Sequence, residues 1–130
     1  MANGKFGQVR PPSPGEDLFF RKNPNIGGRA DFNTNTIVLN PYSTLQPREI
    51  EAVRTNEYSR LYMRKNKLKP KFPLTAYQRK AFTPYGSPLE RRETIIGRII
   101  SGDPSAGDVT KKQREFANKV IREIGSTEGF

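Results

Sequence analysis

The chain has 130 residues, 33% of them hydrophobic, with eleven glycines, eleven prolines and no tryptophan, enough for one modest core but not for one that takes in every residue. It has neither cysteine nor histidine; this excludes disulfides, thiolate zinc sites, cysteine nucleophiles and serine–histidine triads, so an enzyme would have to run on carboxylates, lysine or tyrosine alone. A net charge of +10 and a pI near 10.2 point to a binding or assembly protein, not an enzyme, that meets a polyanion or an acidic protein.

Residues 1–28 are expected to form an extended arm, because Pro11, Pro12, Pro14 and Pro24 interrupt any continuous helix or inner strand. Within it Leu18, Phe19 and Phe20 make an apolar knot, suited to anchor the arm on its own domain or on a neighbouring subunit. No apolar run approaches the roughly 20 residues that span a bilayer, and the polar stretch 1–10 lacks the apolar centre of a signal peptide. The expectation is a protein made in a cytoplasm, with no membrane partner.

After Gly27 and Gly28, the stretches 29–32 and 36–39 flank the turn-rich Asn33-Thr34-Asn35, a pattern that predicts a short β-hairpin closed by Asn40-Pro41. Such a hairpin is marginal alone and must lie on helices. The first helix is predicted to start at Pro47, with Glu49 in its first turn and Leu45 and Ile50 stapled around the start, and to run to about Met63 or Arg64. On its wheel Ile50, Val53 and Leu61 share one face, with Glu57 between them.

A basic connector over 64–74 is broken by Pro70 and Pro73. Three capping boxes follow: Thr75-x-x-Gln78, Ser87-Pro88-x-Glu90 and Thr110-x-x-Gln113. They predict helices from Ala76 to about Phe82, from Pro88 until Gly102 stops it, and from Lys111 until Gly125 closes it. The glycine-rich segment 101–107 lacks the phosphate-loop pattern and reads as a turn between helices. The expected fold is α+β, mainly α: a four-helix domain over 29–125 with one short hairpin, an extended N-terminal arm, and a free tail at 126–130.

Charge is distributed unevenly. Residues 58–89 contain no Asp or Glu but carry Arg60, Arg64, Lys65, Lys67, Lys69, Lys71, Arg79 and Lys80, interleaved with tyrosines and phenylalanines. Cations neutralise phosphates and aromatic faces stack on bases, so this is the candidate binding face; an acidic protein surface would suit the same charge. Glu57 sits on an apolar helix side where a lone carboxylate is costly, and Arg60 at i+3 can pair with it. The pair reads as a structural tie, with an electrostatic or catalytic carboxylate as the sharper alternative. A strand followed by a helix bearing Asn56-Glu57-x-x-Arg60 is distantly similar to the H-E-x-x-H layout of zinc peptidases. Asn56 and Arg60 occupy both histidine positions, so neither a metal nor any other cofactor is expected.

The blocks at 36–45 (TIVLNPYSTL), 52–63 (AVRTNEYSRLYM) and 92–106 (RETIIGRIISGDPSA) resemble small, poorly characterised proteins of tailed bacteriophages, a likeness covering about 30–125. The resemblance implies a phage context and brings no assigned active site. The resulting expectation is an accessory structural protein of a phage particle, as a capsid, cement, portal-ring or tail component. Its expected partners are other phage structural proteins, in several copies, with DNA as a further candidate, and its place is the virion. The alternatives are a soluble nucleic-acid binder and a regulator of a host or phage enzyme.

Overall fold

A computed structural model describes the backbone of residues 6–128 and the side chains of 6–125. The elements are β1 (Val9–Arg10), α1 (Pro14–Lys22), β2 (Gly28–Asp31), β3 (Thr36–Leu39), α2 (Pro47–Lys65), α3 (Ala76–Ala81), α4 (Pro88–Ser101) and α5 (Lys111–Glu128), with single 3-10 turns at Thr83–Tyr85 and Pro104–Ala106. The fold is α+β and mainly helical, with five helices and one small three-stranded sheet.

The helix starts are local events. Glu49 Oε1 accepts the Gln46 N–H at 2.9 Å before α2. Thr75 and Gln78 close a reciprocal box at 3.0 and 3.1 Å before α3, and Ser87 and Glu90 do the same at 3.0 and 3.2 Å before α4. Each satisfies amide groups that an uncapped helix leaves without partners. The predicted starts at Pro47, Ala76, Pro88 and Lys111 coincide with the observed ones.

The hairpin pairs β2 with β3 antiparallel, Gly28 opposite Leu39 and Asp31 opposite Thr36. At its turn Asp31 Oδ1 accepts the Asn33 N–H at 3.0 Å, and Asn35 takes a left-handed φ of 55° that asparagine tolerates. A third strand, β1, runs parallel to β3 with Val9 opposite Ile37, giving the sheet order β1-β3-β2.

The N-terminal segment therefore differs from the expected extended arm. Ser13 and Glu16 form a capping box at 2.9 and 3.4 Å, and α1 follows from Pro14 at its first position. Phe20 is fully buried in the protein's own interior, whereas Leu18 and Phe19 of the expected knot remain 52% and 44% exposed. Arg10 fastens the segment, donating to Glu16 and Asp31 at 2.8 Å each and to Thr36 Oγ1 at 3.1 Å. Asn40 Nδ2 donates to the carbonyls of Phe20, Asn23 and Ile26 at 3.4, 3.0 and 2.7 Å. At the other end α5 continues through Gly125 to Glu128, three residues into the expected free tail, because an exposed glycine weakens a helix by about 1 kcal/mol without ending it. Residues 1–5 of the expected arm and 129–130 of the expected tail lie outside the described residues.

The larger core cluster joins Tyr62 and Met63 of α2, Phe72, Phe82, Ile95, Ile96 and Ile99 of the connector, α3 end and α4, and Ala117, Val120 and Ile124 of α5. A smaller one, Ala30, Ile37 and Leu61, lies between sheet and α2. α2 and α4 approach closely where Gly97 faces Asn56; a Cβ at 97 would collide with Asn56 Oδ1. Asn56 also lines the cleft described below.

Candidate functional site

The eight cations singled out in the sequence divide by structural role. Arg60, Arg64 and Lys65 on α2 are engaged: Arg60 Nη1 donates to Glu57 Oε1 at 2.9 Å, and Arg64 Nη2 to Glu93 Oε1 at 2.6 Å. The Arg64 guanidinium lies 3.8 Å from the Phe32 ring centroid and Lys65 Nζ 4.3 Å from that of Phe6, cation–π contacts that tie α2 to the hairpin and the N-terminal segment. Lys67, Lys69, Lys71, Arg79 and Lys80 are exposed and make no salt bridge among the described residues.

A buried pair of glutamines decides what stands beside these five. Gln78 Nε2 donates to Gln113 Oε1 at 3.0 Å and Gln113 Nε2 to Gln78 Oε1 at 2.7 Å, with neither residue accessible to solvent. The remaining amide protons go to Ala106 O at 3.0 Å and Pro73 O at 3.2 Å. Connector, α3 and the start of α5 thus meet at one point. Lys111, Lys112 and Arg114, which flank Gln113 in the chain, are all exposed and free of salt bridges among the described residues. Reading the chain linearly missed them because they lie more than twenty residues beyond the acid-free stretch. The glutamines at the third position of two capping boxes were the available signal. On a neighbouring surface Lys69, Lys71 and Arg92 line a shallow groove with Phe72 and Leu89.

Lys67 adds a backbone observation. It takes a left-handed φ of 55° just past α2, and the Leu68 N–H reaches back to Met63 O at 2.8 Å. Glycine is the usual residue at such a helix end, and a lysine there carries conformational cost.

A second feature is a cleft of about 900 Å³. α2 supplies Arg48, Glu49, Val53, Asn56, Glu57 and Arg60 to it, and α4 with the turn after it supplies Thr94, Arg98, Ser101 and Asp103. The opposite wall is the chain at 25–29 leading into β2. Gly27 lies so close over Val53 and Leu45 that a Cβ would meet both. Glu57 is buried, 8% exposed. Burial pushes its carboxyl pKa up, against the opposing pull of Arg60, Arg98 and Arg29. The Asn56-Glu57-x-x-Arg60 motif therefore lies in a cleft, with Glu57 held by Arg60. Among the described residues no three Asp or Glu side chains gather as a metal-binding group.

No helix among the described residues is long and apolar enough to cross a membrane. No protein-family model, curated protein or solved structure matches the chain.

Proposed function

We propose that this chain is an accessory structural protein of a bacteriophage particle that works by binding, not catalysis, and is held to packaged DNA or an acidic neighbouring subunit by its cationic face. The observation that carries the reading is that the three elements joined at the Gln78–Gln113 pair carry Lys69, Lys71, Arg79, Lys80, Lys111, Lys112 and Arg114, all exposed and none in a salt bridge among the described residues. Unneutralised cations drawn from three elements repel one another and destabilise the fold unless a polyanion meets them. Lys67 supports it, since a charged side chain occupies a strained, left-handed backbone position. The phage context rests on the sequence resemblance. The attachment no longer leans on a lacing arm, because the N-terminal segment packs on its own sheet.

A soluble nucleic-acid binder is the second reading, favoured by Tyr77, 55% exposed beside Arg79 and Lys80, where an aromatic face among cations can stack on a base. Mass spectrometry of purified phage particles separates the two. The chain should be present at a fixed copy number and should leave the particles as salt is raised. Absence from particles, with the protein free in the lysate, would sink the structural role.

A further inference from the structure

The charged groups of the 900 Å³ cleft are unequally committed. Each of its three carboxylates has a partner: Glu49 accepts from the Gln46 N–H, Glu57 from Arg60 and Asp103 from the Ser105 N–H, all at 2.9 Å. Arg98 is also held, donating to Ser105 Oγ and Tyr85 OH. Arg29, on β2, and Arg48, in the first turn of α2, line the same cleft, are exposed, and make neither a salt bridge nor a side-chain hydrogen bond among the described residues. The charge of Arg29 acts on the buried Glu57 together with those of Arg60 and Arg98, so its guanidinium reaches inward.

The polar lining is incomplete in a second way. Among the described residues two buried side-chain polar atoms have no hydrogen-bond partner, Asn56 Oδ1 and Arg60 Nε, and both residues line this cleft. Buried polar groups are as a rule matched, so hydrogen bonding is left unfinished at this one place. Asn56 Oδ1 rests against Gly97, and the amide nitrogen of the same side chain is an unused donor. Leu45, Ala52 and Val53 add an apolar strip beside it. Donors without acceptors fit an anion, and the two free guanidinium groups come from opposite walls. One bidentate arginine satisfies the two oxygens of a planar carboxylate, whereas a phosphate monoester offers three terminal oxygens that accept from several directions. The cleft is far larger than a phosphate ion and falls within the range of about 300–1,000 Å³ usual for small-molecule sites.

We propose that this cleft binds a small organic phosphate monoester of nucleoside-monophosphate size. Arg29, Arg48 and the Asn56 amide hold the phosphate, and Leu45, Ala52 and Val53 receive the organic body. The arginines supply the attraction, and the apolar strip separates such a ligand from a bare anion. The site uses none of the cations around Gln78 and Gln113, so either can fail without the other.

The test is calorimetric titration of the full chain with the ribonucleoside monophosphates, each compared with its nucleoside and with inorganic phosphate. At least one monophosphate should bind one-to-one, about tenfold or more tighter than either comparator. Arg29→Ala with Arg48→Ala should weaken that binding at least about tenfold, with the melting point retained because both side chains are exposed and unpaired among the described residues. Ala52→Glu, which sets a carboxylate in the cleft and leaves the arginines in place, should weaken it as well. Lys69→Ala with Lys71→Ala should leave it unchanged. The proposal is overturned if no monophosphate binds, if the nucleoside or inorganic phosphate binds as tightly, if the arginine pair and Ala52→Glu variants keep full affinity, or if the lysine pair weakens binding as much as the arginine pair.

Discussion

Gln78 and Gln113 each cap their own helix and at the same time hold one another. Gln78 Oε1 accepts the Thr75 N–H at 3.0 Å and Gln113 Oε1 the Thr110 N–H at 3.3 Å, while each Nε2 donates to the other's oxygen. Two capping boxes are thereby locked together inside the protein, and the surface cations on either side inherit a fixed spacing. Replacing Gln113 with alanine leaves the buried Gln78 amide short of a partner and should cost about 1–3 kcal/mol. In a double-mutant cycle with Gln78→Ala the two losses should be non-additive, because they share one pair of bonds. Additive losses in chemical denaturation would show that the amides act separately.

The N-terminal segment is expected to be part of the folding unit. Phe20→Ala removes a fully buried ring and should lower stability by about 3–5 kcal/mol, whereas Phe19→Ala, at a half-exposed position, should change it far less. Deleting residues 1–28 takes away β1, α1 and the contacts of Arg10, so the truncated chain should lose its cooperative melt. A truncated chain that melts like the parent would return this segment to the role of a detachable arm.

How much of this was legible in the sequence depends on the range of each interaction. The hairpin and four helix starts depend on turns and caps within a few residues, so Asn33–Asn35, Pro47 and the Thr75, Ser87 and Thr110 boxes revealed them. Ser13-Pro14-x-Glu16 has the same form as Ser87-Pro88-x-Glu90, and α1 was readable there; the surrounding prolines obscured it. β1 was not readable, since two residues carry no period and its partner lies near residue 37. The pairing of Glu57 with Arg60 follows from helical spacing. The cleft around that pair, and the joining of the α5 cations to the connector, arise only when distant elements pack.

Glu16 and Glu57 should give pH dependences of stability with opposite signs. Hydrogen bonds from Arg10 hold the Glu16 carboxyl pKa down at about 2, from an ordinary 4.5. Its stabilisation is complete above 4.5 and is lost as pH falls towards 2. Glu16→Gln should flatten that acid limb, removing about 1–3 kcal/mol of pH-dependent stability. Glu57 is shifted upward by burial, so its neutral form suits the fold and stability declines as pH rises from the ordinary carboxylate range to its raised value. Glu57→Gln should abolish that decline. Thermal melts across this range check both, and identical pH profiles for the parent and both variants would contradict them.

Lys67→Gly should separate stability from binding. Glycine adopts the left-handed φ of 55° without the Cβ penalty, so the variant should gain about 1 kcal/mol. Losing one cation from the connector should at the same time weaken attachment to a polyanion. A variant that is stabler and binds as well as the parent would show that the strained lysine serves no binding role.

Salt titration of binding to duplex DNA shows whether connector, α3 and α5 together present one cationic face. Affinity should fall steeply as salt rises, because neutralised phosphates release counterions. Lys112→Ala with Arg114→Ala should lower the slope of log K against log salt by about 2, as should Lys69→Ala with Lys71→Ala. Equal effects from pairs so far apart in the chain are what a shared face predicts. If the α5 pair changes neither affinity nor slope while the connector pair changes both, the face is confined to the connector and the account fails.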